Sequence, residues 1–194
     1  MLVVHGDSRS GNCLKVKWLL ETLARDYRWT EVDIMTGGSR TQAYLTLNPA
    51  GQVPLLILED GRPLAQSNAI LIHLAEGTRF IPQDAYDRAR MLEWLFWEQY
   101  SHEPYVAVAR FRVVYQGQRA EDLEPRLVER GHAALARLEQ ATAASPFLVG
   151  AAPTLADLAL VAYTPVAPEA GFELERYPAV RAWVGRVEEV FGIS

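Results

Sequence analysis

The sequence predicts a small α/β domain with a four-stranded mixed sheet over residues 1–78, followed by an all-helical domain over residues 84–194. Three observations predict it. The first eighty residues interleave short apolar runs of strand length with helical stripes, whereas beyond residue 83 the apolar period is helical throughout. An Asp60-Gly61 pair between two short runs marks a tight hairpin. Ser67, Asp84 and Thr154 each stand as N-caps in front of an apolar stripe.

Leu2 to His5 reads as a buried strand and Gly6 to Gly11 as a small polar loop. Cys13, Val16, Leu20 and Leu23 then recur at helical spacing. Tyr27 to Ile34 alternates well enough for a second strand. Thr36 to Ser39 is a Gly-rich break, and Gln42 to Leu47 has the length of a short helix. Val53 to Leu58 and Pro63 to Ala65 are the arms of the hairpin. A helix opens at Ser67 and closes at Gly77. The first two strands and their helical crossover form a parallel unit, and the hairpin adds an antiparallel edge. Residues 79–83 read as a linker. Asp84 then caps a long helix, rich in Trp94, Leu95, Phe96 and Trp97, that Pro104 is expected to kink. Gly117 closes that stretch. Further helices run from about Asp122 to Ala144, with Pro125 in the first turn, from Thr154 with Asp157 three residues on, and from Pro178.

The whole-chain properties narrow the function. The 194 residues are 49% apolar and 22% charged, as in an ordinary globular protein. The net charge of −5 argues against a nucleic-acid partner, which needs a surplus of Lys and Arg on one face. Cys13 is the single cysteine, so no disulfide forms within the chain. The N-terminus has no signal-peptide pattern, and no apolar run approaches the ~18 residues of a membrane span. A cytoplasmic protein without a membrane partner is expected.

Three segments can carry chemistry. In the loop from Gly6 to Asn12, the Ser10 hydroxyl either caps the first helix or donates to a ligand anion at the helix N-terminus, where the dipole favours negative charge. If that anion is a thiolate, the site lowers the thiol's pKa. In Asn48-Pro49-Ala50-Gly51-Gln52-Val53-Pro54, the last bond is either trans at a strand edge or cis. The cis form would turn the Val53 backbone outward to pair with an extended peptide. At Gln66-Ser67, the serine is either a plain N-cap or the holder of a carboxylate. Other patterns fail. His102-Glu103-Pro104-Tyr105-Val106 lacks the second histidine of a zinc-protease helix. The four histidines show no metal-ligand spacing, so no metal is expected. Gly37-Gly38 lacks the lysine of a phosphate loop.

Taken together, the Ser10 loop, the Asn-Pro-x-Gly-x-Val-Pro segment, Leu64-x-x-Ser67-x-Ala69-Ile70, and Gly150 followed by Thr154-Leu155-Ala156-Asp157 resemble the glutathione S-transferases. Ser10-Gly11-Asn12-Cys13-Leu14-Lys15-Val16 looks like their Ser-containing bacterial and theta-like branches. The resemblance implies a thioredoxin-like N-terminal domain followed by a C-terminal helical bundle, usually a homodimer, with glutathione as cosubstrate in detoxification. It implies that Ser10 activates the glutathione thiol with Asn12 assisting. Val53 would pair with the cysteinyl backbone and Pro54 would be cis. Gln52 would reach the glycyl carboxylate, and Gln66 and Ser67 would hold the γ-glutamyl end. Many relatives are acidic where this chain has Gln66, so weaker glutathione binding is expected. Cys13 stands where thioredoxins place a reactive cysteine, but it shares the apolar stripe, which favours an inert buried thiol. Tyr100, His102, Tyr105, Val106, Ala109 and Arg110 are the expected lining for a small hydrophobic electrophile between the domains, or else core or dimer interface. Trp94 and Trp97 read as packing. The reaction expected is conjugation of the thiolate to that electrophile. Alternatives are a glutathione-dependent disulfide reductase or peroxidase on the same site, and a non-catalytic binding protein.

Overall fold

Strand β1 (Leu2–Gly6) is the sheet's organising element. It pairs in parallel with β2 (Tyr27–Glu31) and antiparallel with β3 (Leu55–Ile57), which in turn pairs antiparallel with β4 (Pro63–Ala65). The order is β2-β1-β3-β4, the thioredoxin-like arrangement, in a computed structural model that describes residues 1–193. Alternation along β1 sends Leu2, Val4 and Gly6 to one face, all buried. Helix α1 (Gly11–Thr22) and the Trp29 ring of β2 crowd that face: a Cβ on Gly6 would meet the ring at 2.6 Å and the Cys13 Cβ of α1 at 3.2 Å. Helix α3 (Ser67–Ala75) packs beside α1. On the opposite face, Tyr44 of α2 (Gln42–Leu47) joins Val32 and Leu55 in a small core flanked by Val53, Ile57 and Ala65.

Several expected boundaries move, each for a local reason. The second strand stops at Glu31 rather than Ile34, because the Ile34 amide donates to the Asp7 carboxylate and Asp33 accepts from Arg9. The third begins at Leu55 rather than Val53: Pro54 has no N–H for the ladder, and the Gln52 carbonyl accepts from Tyr44 and Asn48 side chains instead. Ser67 is not an N-cap; Gln66 occupies that position and Ser67 is the first helical residue. In α1, Leu19 joins the buried stripe, and Leu23 falls at the C-cap, only half-buried.

The chain divides into two compact units, Met1–Thr78 and a second beginning at Arg79. Residues 79–83 are not a free linker. Phe80 and Ile81 are buried, the Phe80 ring lies 4.8 Å from that of Phe191, and the Phe80 carbonyl accepts from the Leu155 amide. The Asp84 carboxylate caps α4 (Ala85–Trp97) through the Tyr86 and Asp87 amides. The expected proline kink is absorbed differently. Glu98–His102 forms a π-turn, in which the Glu103 amide reaches back to the Glu98 carbonyl. Pro104 thereby falls in the first turn of α5 (Glu103–Arg110), where a missing N–H costs little. A second π-turn, Phe111–Tyr115, leads to Gly117 at φ +69°. Ala120–Asp122 is a single 3₁₀ turn, so α6 starts at Pro125 and runs to Ala144, later than expected. Thr154 caps α7 (Leu155–Val161). The first amides of α8 (Pro178–Phe191) donate to the Glu139 carboxylate of α6 at 3.0 and 2.9 Å. In the aromatic-rich stretch of α4, Trp94 is buried while Phe96 is 73% exposed. No helix among the described residues is long and apolar enough to cross a membrane.

Candidate functional site

The loop Asp7–Ser10 leaves the carboxyl end of β1, where ligands of open α/β sheets gather. Ser10 is the N-cap of α1 by backbone geometry (φ −86°, ψ 120°), and its carbonyl accepts from the Cys13 and Leu14 amides. Its hydroxyl makes no capping bond. No acidic residue stands in the first turn, so the positive end of the helix dipole is not offset there by the helix's own side chains.

Asp7 holds this loop in place. Its side chain is fully buried and accepts from the Arg9 amide (2.9 Å), Arg9 Nε (2.9 Å), Arg9 Nη2 (2.7 Å) and the Ile34 amide (3.2 Å). Burial by itself would raise the Asp7 pKa; the Arg9 guanidinium and the two amides outweigh it and hold the carboxyl below its usual range. Glu31 steadies the other side of the loop by accepting from the Ser8 amide and hydroxyl. Cys13 is completely buried, and burial pushes its thiol up to about 11, against the opposing hydrogen bonds of the Asp7 backbone and the Ser10 side chain. A thiolate at Cys13 is therefore disfavoured, in keeping with an inert core cysteine.

The second segment is equally constrained. Tyr44 Oη and Asn48 Nδ2 both donate to the Gln52 carbonyl at 2.7 Å, which leaves the Gln52 side chain exposed. The Gly51 amide closes on the Asn48 carbonyl. Gly51 adopts φ +61°, and a Cβ there would meet Arg40 Nη1 at 2.5 Å, so only glycine lets Arg40 lie across the turn. The Val53-Pro54 peptide bond is cis, and Val53 is outside the sheet ladder, which begins at Leu55.

At the third segment Gln66 adopts φ +70° and ψ 111°, a strained backbone for a non-glycine residue of the kind that collects at ligand sites. The Ser67 hydroxyl donates to Asn12 Oδ1 at 3.1 Å. This bond ties the N-terminus of α3 to that of α1, bringing Asn12 and Ser67 together two residues from Ser10. Sequence reasoning missed Asp7, Arg9, Asp33 and Arg40. An acidic residue directly after an apolar run, with arginine two positions on, is the signal that marks the first pair.

The helical residues expected to meet an electrophile separate by exposure. His102, Val106 and Ala109 are fully buried. Thr164 Oγ1 donates to the Leu160 carbonyl at 2.6 Å, so its contact with His102 Nε2 at 3.3 Å has the imidazole as donor. Tyr105 and Arg110 are half-buried, and Tyr100 is 83% exposed. Arg110 Nε donates to Glu169 at 2.7 Å, and its guanidinium lies 5.3 Å from the centre of the Tyr115 ring.

Comparisons with known proteins agree on the kind of protein this is. Residues 9–76 match the N-terminal domain of the glutathione S-transferases and residues 94–190 match their C-terminal domain. The chain is 30% identical over 187 residues to the disulfide-bond oxidoreductase YfcG of Escherichia coli, covering 89% of this chain and 84% of that protein. Among solved structures, a glutathione S-transferase from Pseudomonas fluorescens Pf-5 is 49% identical, with a TM-score of 0.93 over 96% of this chain and 94% of its own. One from Xanthobacter autotrophicus Py2 is 47% identical, with a TM-score of 0.93 over 100% and 96%.

Proposed function

Because the chain belongs to the glutathione S-transferase family and is an enzyme of that kind, we propose that it joins the glutathione sulfur to a small hydrophobic electrophile. The observation that carries this reading is the Ser67–Asn12 bond, which couples two helix N-termini beside a Ser10 hydroxyl that caps nothing. Two dipoles and a hydroxyl that takes no helix amide favour an anionic ligand with a thiolate at its centre.

In the proposed reaction the bound thiol gives its proton to water, and Ser10 donates its O–H to the resulting thiolate. The sulfur lone pair then attacks an electrophilic carbon, whose leaving group departs with the bonding electrons. A pKa lowered toward ambient pH is the useful shift, because further lowering weakens the nucleophile. Asn12 assists at the same helix start. The Val53 backbone pairs with the cysteinyl unit, Gln52 takes the glycyl carboxylate with Arg40 nearby, and Gln66 and Ser67 hold the γ-glutamyl end. Tyr105 and Arg110, half-buried on α5, are the proposed contacts for the electrophile. Ser10→Ala is expected to raise the pKa of bound glutathione and lower turnover on a chloronitrobenzene-type substrate. An unchanged thiolate absorbance across a pH titration would sink that role. Gln66 accepts from the ligand ammonium but carries no charge to pair with it, so Gln66→Glu is expected to tighten the glutathione dissociation constant.

The likeness to YfcG favours a second reading, a glutathione-dependent disulfide reductase or peroxidase on the same site. Turnover on a disulfide or hydroperoxide against turnover on the chloronitrobenzene separates the two. A homodimer is part of the proposal. Tyr86 and Phe96 on α4, and Tyr100 just beyond it, are 72%, 73% and 83% exposed, an apolar surface suited to a second copy. Sedimentation equilibrium tests it. The proposed setting is cytoplasmic detoxification.

A further inference from the structure

The buried Asp7 lies outside the strands of the sheet. Its backbone lies just past the end of β1, and a carboxylate that is fully out of solvent carries a desolvation penalty unless it is paired and hydrogen-bonded. Three of its four donors belong to Arg9 in the same loop, and the fourth, the Ile34 amide, ties that loop to the segment after β2. The Arg9 amide closes a two-residue turn on Asp7 Oδ1, the Arg9 fork takes both carboxylate oxygens, and the Ile34 amide takes Oδ2. The Asp7 carbonyl accepts from the Ser10 amide at 3.0 Å. Arg9 Nη2 is held a second time by Asp33 Oδ1 at 2.6 Å. The Ser10 backbone is thus tied to a residue whose side chain is fixed by charge-assisted bonds, which are the stronger kind.

The charges lead to the same place. Asp7 and Glu31 both flank the Ser10 loop, and both act on the neighbouring Cys13 thiol to disfavour its anion. Arg9 is the cation set directly against Asp7. Without it, the buried Asp7 carboxylate would stand without its counter-charge in the loop that carries Ser10.

We propose that Asp7 and Arg9, braced by Asp33, are positioning residues for the Ser10 hydroxyl, and that Arg9 neutralises Asp7 so that a thiolate can form beside it. This inference rests on the reading of Ser10 as the thiolate donor. The test is a pH titration of thiolate absorbance with glutathione bound to the full chain, alongside thermal melts, for wild type, Ser10→Ala, Arg9→Gln and Arg9→Lys. Arg9→Gln is expected to raise the bound thiol's pKa by about one unit, a roughly tenfold loss of thiolate below the pKa. Arg9→Lys is expected to give a smaller rise, since it restores the charge but not the two-pronged grip. A purely structural Arg9 would lower the melting temperature of both variants and leave the thiol's pKa at the wild-type value, and that result overturns the proposal. If Arg9→Gln does not fold, Arg9→Lys decides in the same way. If Ser10→Ala shifts the pKa and the Arg9 variants do not, the Ser10 reading stands and the positioning role falls. If Ser10→Ala is itself silent, both fall.

Discussion

Two helices begin with a hydroxyl residue and a fully buried aspartate three positions away, yet they use these parts in opposite ways. At α7, Thr154 accepts from the Ala156 amide, and Asp157 inside the helix returns a bond to the Thr154 amide, closing a capping box. Asp157 also accepts from the Leu148 amide and Trp183 Nε1, both at 2.9 Å. At α1, Ser10 caps nothing, and Asp7 lies before the helix, gripping the loop instead of the helix amides. Hydroxyl and carboxylate are committed to capping the helix in one place, and in the other they are left out of the helix's own cap, as the proposed thiolate role of Ser10 requires. Their ionisation differs to match. Asp157 has no cation beside it among its partners, and burial pushes its pKa up despite the Trp183 and amide bonds; Arg9 reverses that balance at Asp7.

The comparison breaks most visibly at Asp157. Asp157→Ala leaves several buried donors without an acceptor and is expected to cost about 3–5 kcal/mol, read by urea unfolding. Thr154→Ala should cost about 1–2 kcal/mol in the same measurement, the worth of a good cap. Ser10→Ala, which likewise removes a hydroxyl from a helix start, should move stability by less than about 0.5 kcal/mol while turnover falls on the order of a hundredfold. A Ser10→Ala protein that melts as early as Thr154→Ala would remove the contrast.

The narrowest effect is confined to acid. The Asp7 pKa is lowered below 3.8, so its stabilisation is present above that value and drains as pH falls through the folded pKa. Asp157, raised above 3.8, runs the other way: its native proton is held more tightly, so acid favours the fold there. Asp7→Asn should therefore flatten the loss of stability between about pH 5 and pH 2, and Asp157→Asn should steepen it. Chemical melts at several pH values check both slopes.

Legibility followed the range of the forces involved. The capping box at Thr154, the proline at the start of α6 and the short helix at Gln42 were readable because each depends on residues within a turn of one another. The parallel first pair of strands followed from the helix between them. The Gln66-Ser67 pair was recognisable as a helix start, but not which residue would cap. That depended on Ser67 finding Asn12, 55 residues away in the chain. The end of β2 could not be read either, since the alternation runs on to Ile34 and only Asp7 captures that amide. The π-turn before Pro104 was invisible to a pattern that assumes one period for the whole helix.

The sequence alone determined the two-part architecture and the three segments that can carry chemistry, because periodicity, caps and turn residues act over a few positions. Only the tertiary structure decided what each polar group does. Whether a serine caps its own helix or is held ready for a ligand depends on which distant amides and charges reach it first. Around Ser10 those reaching the loop are a buried carboxylate, an arginine that neutralises it, and an amide supplied by a strand that stops early.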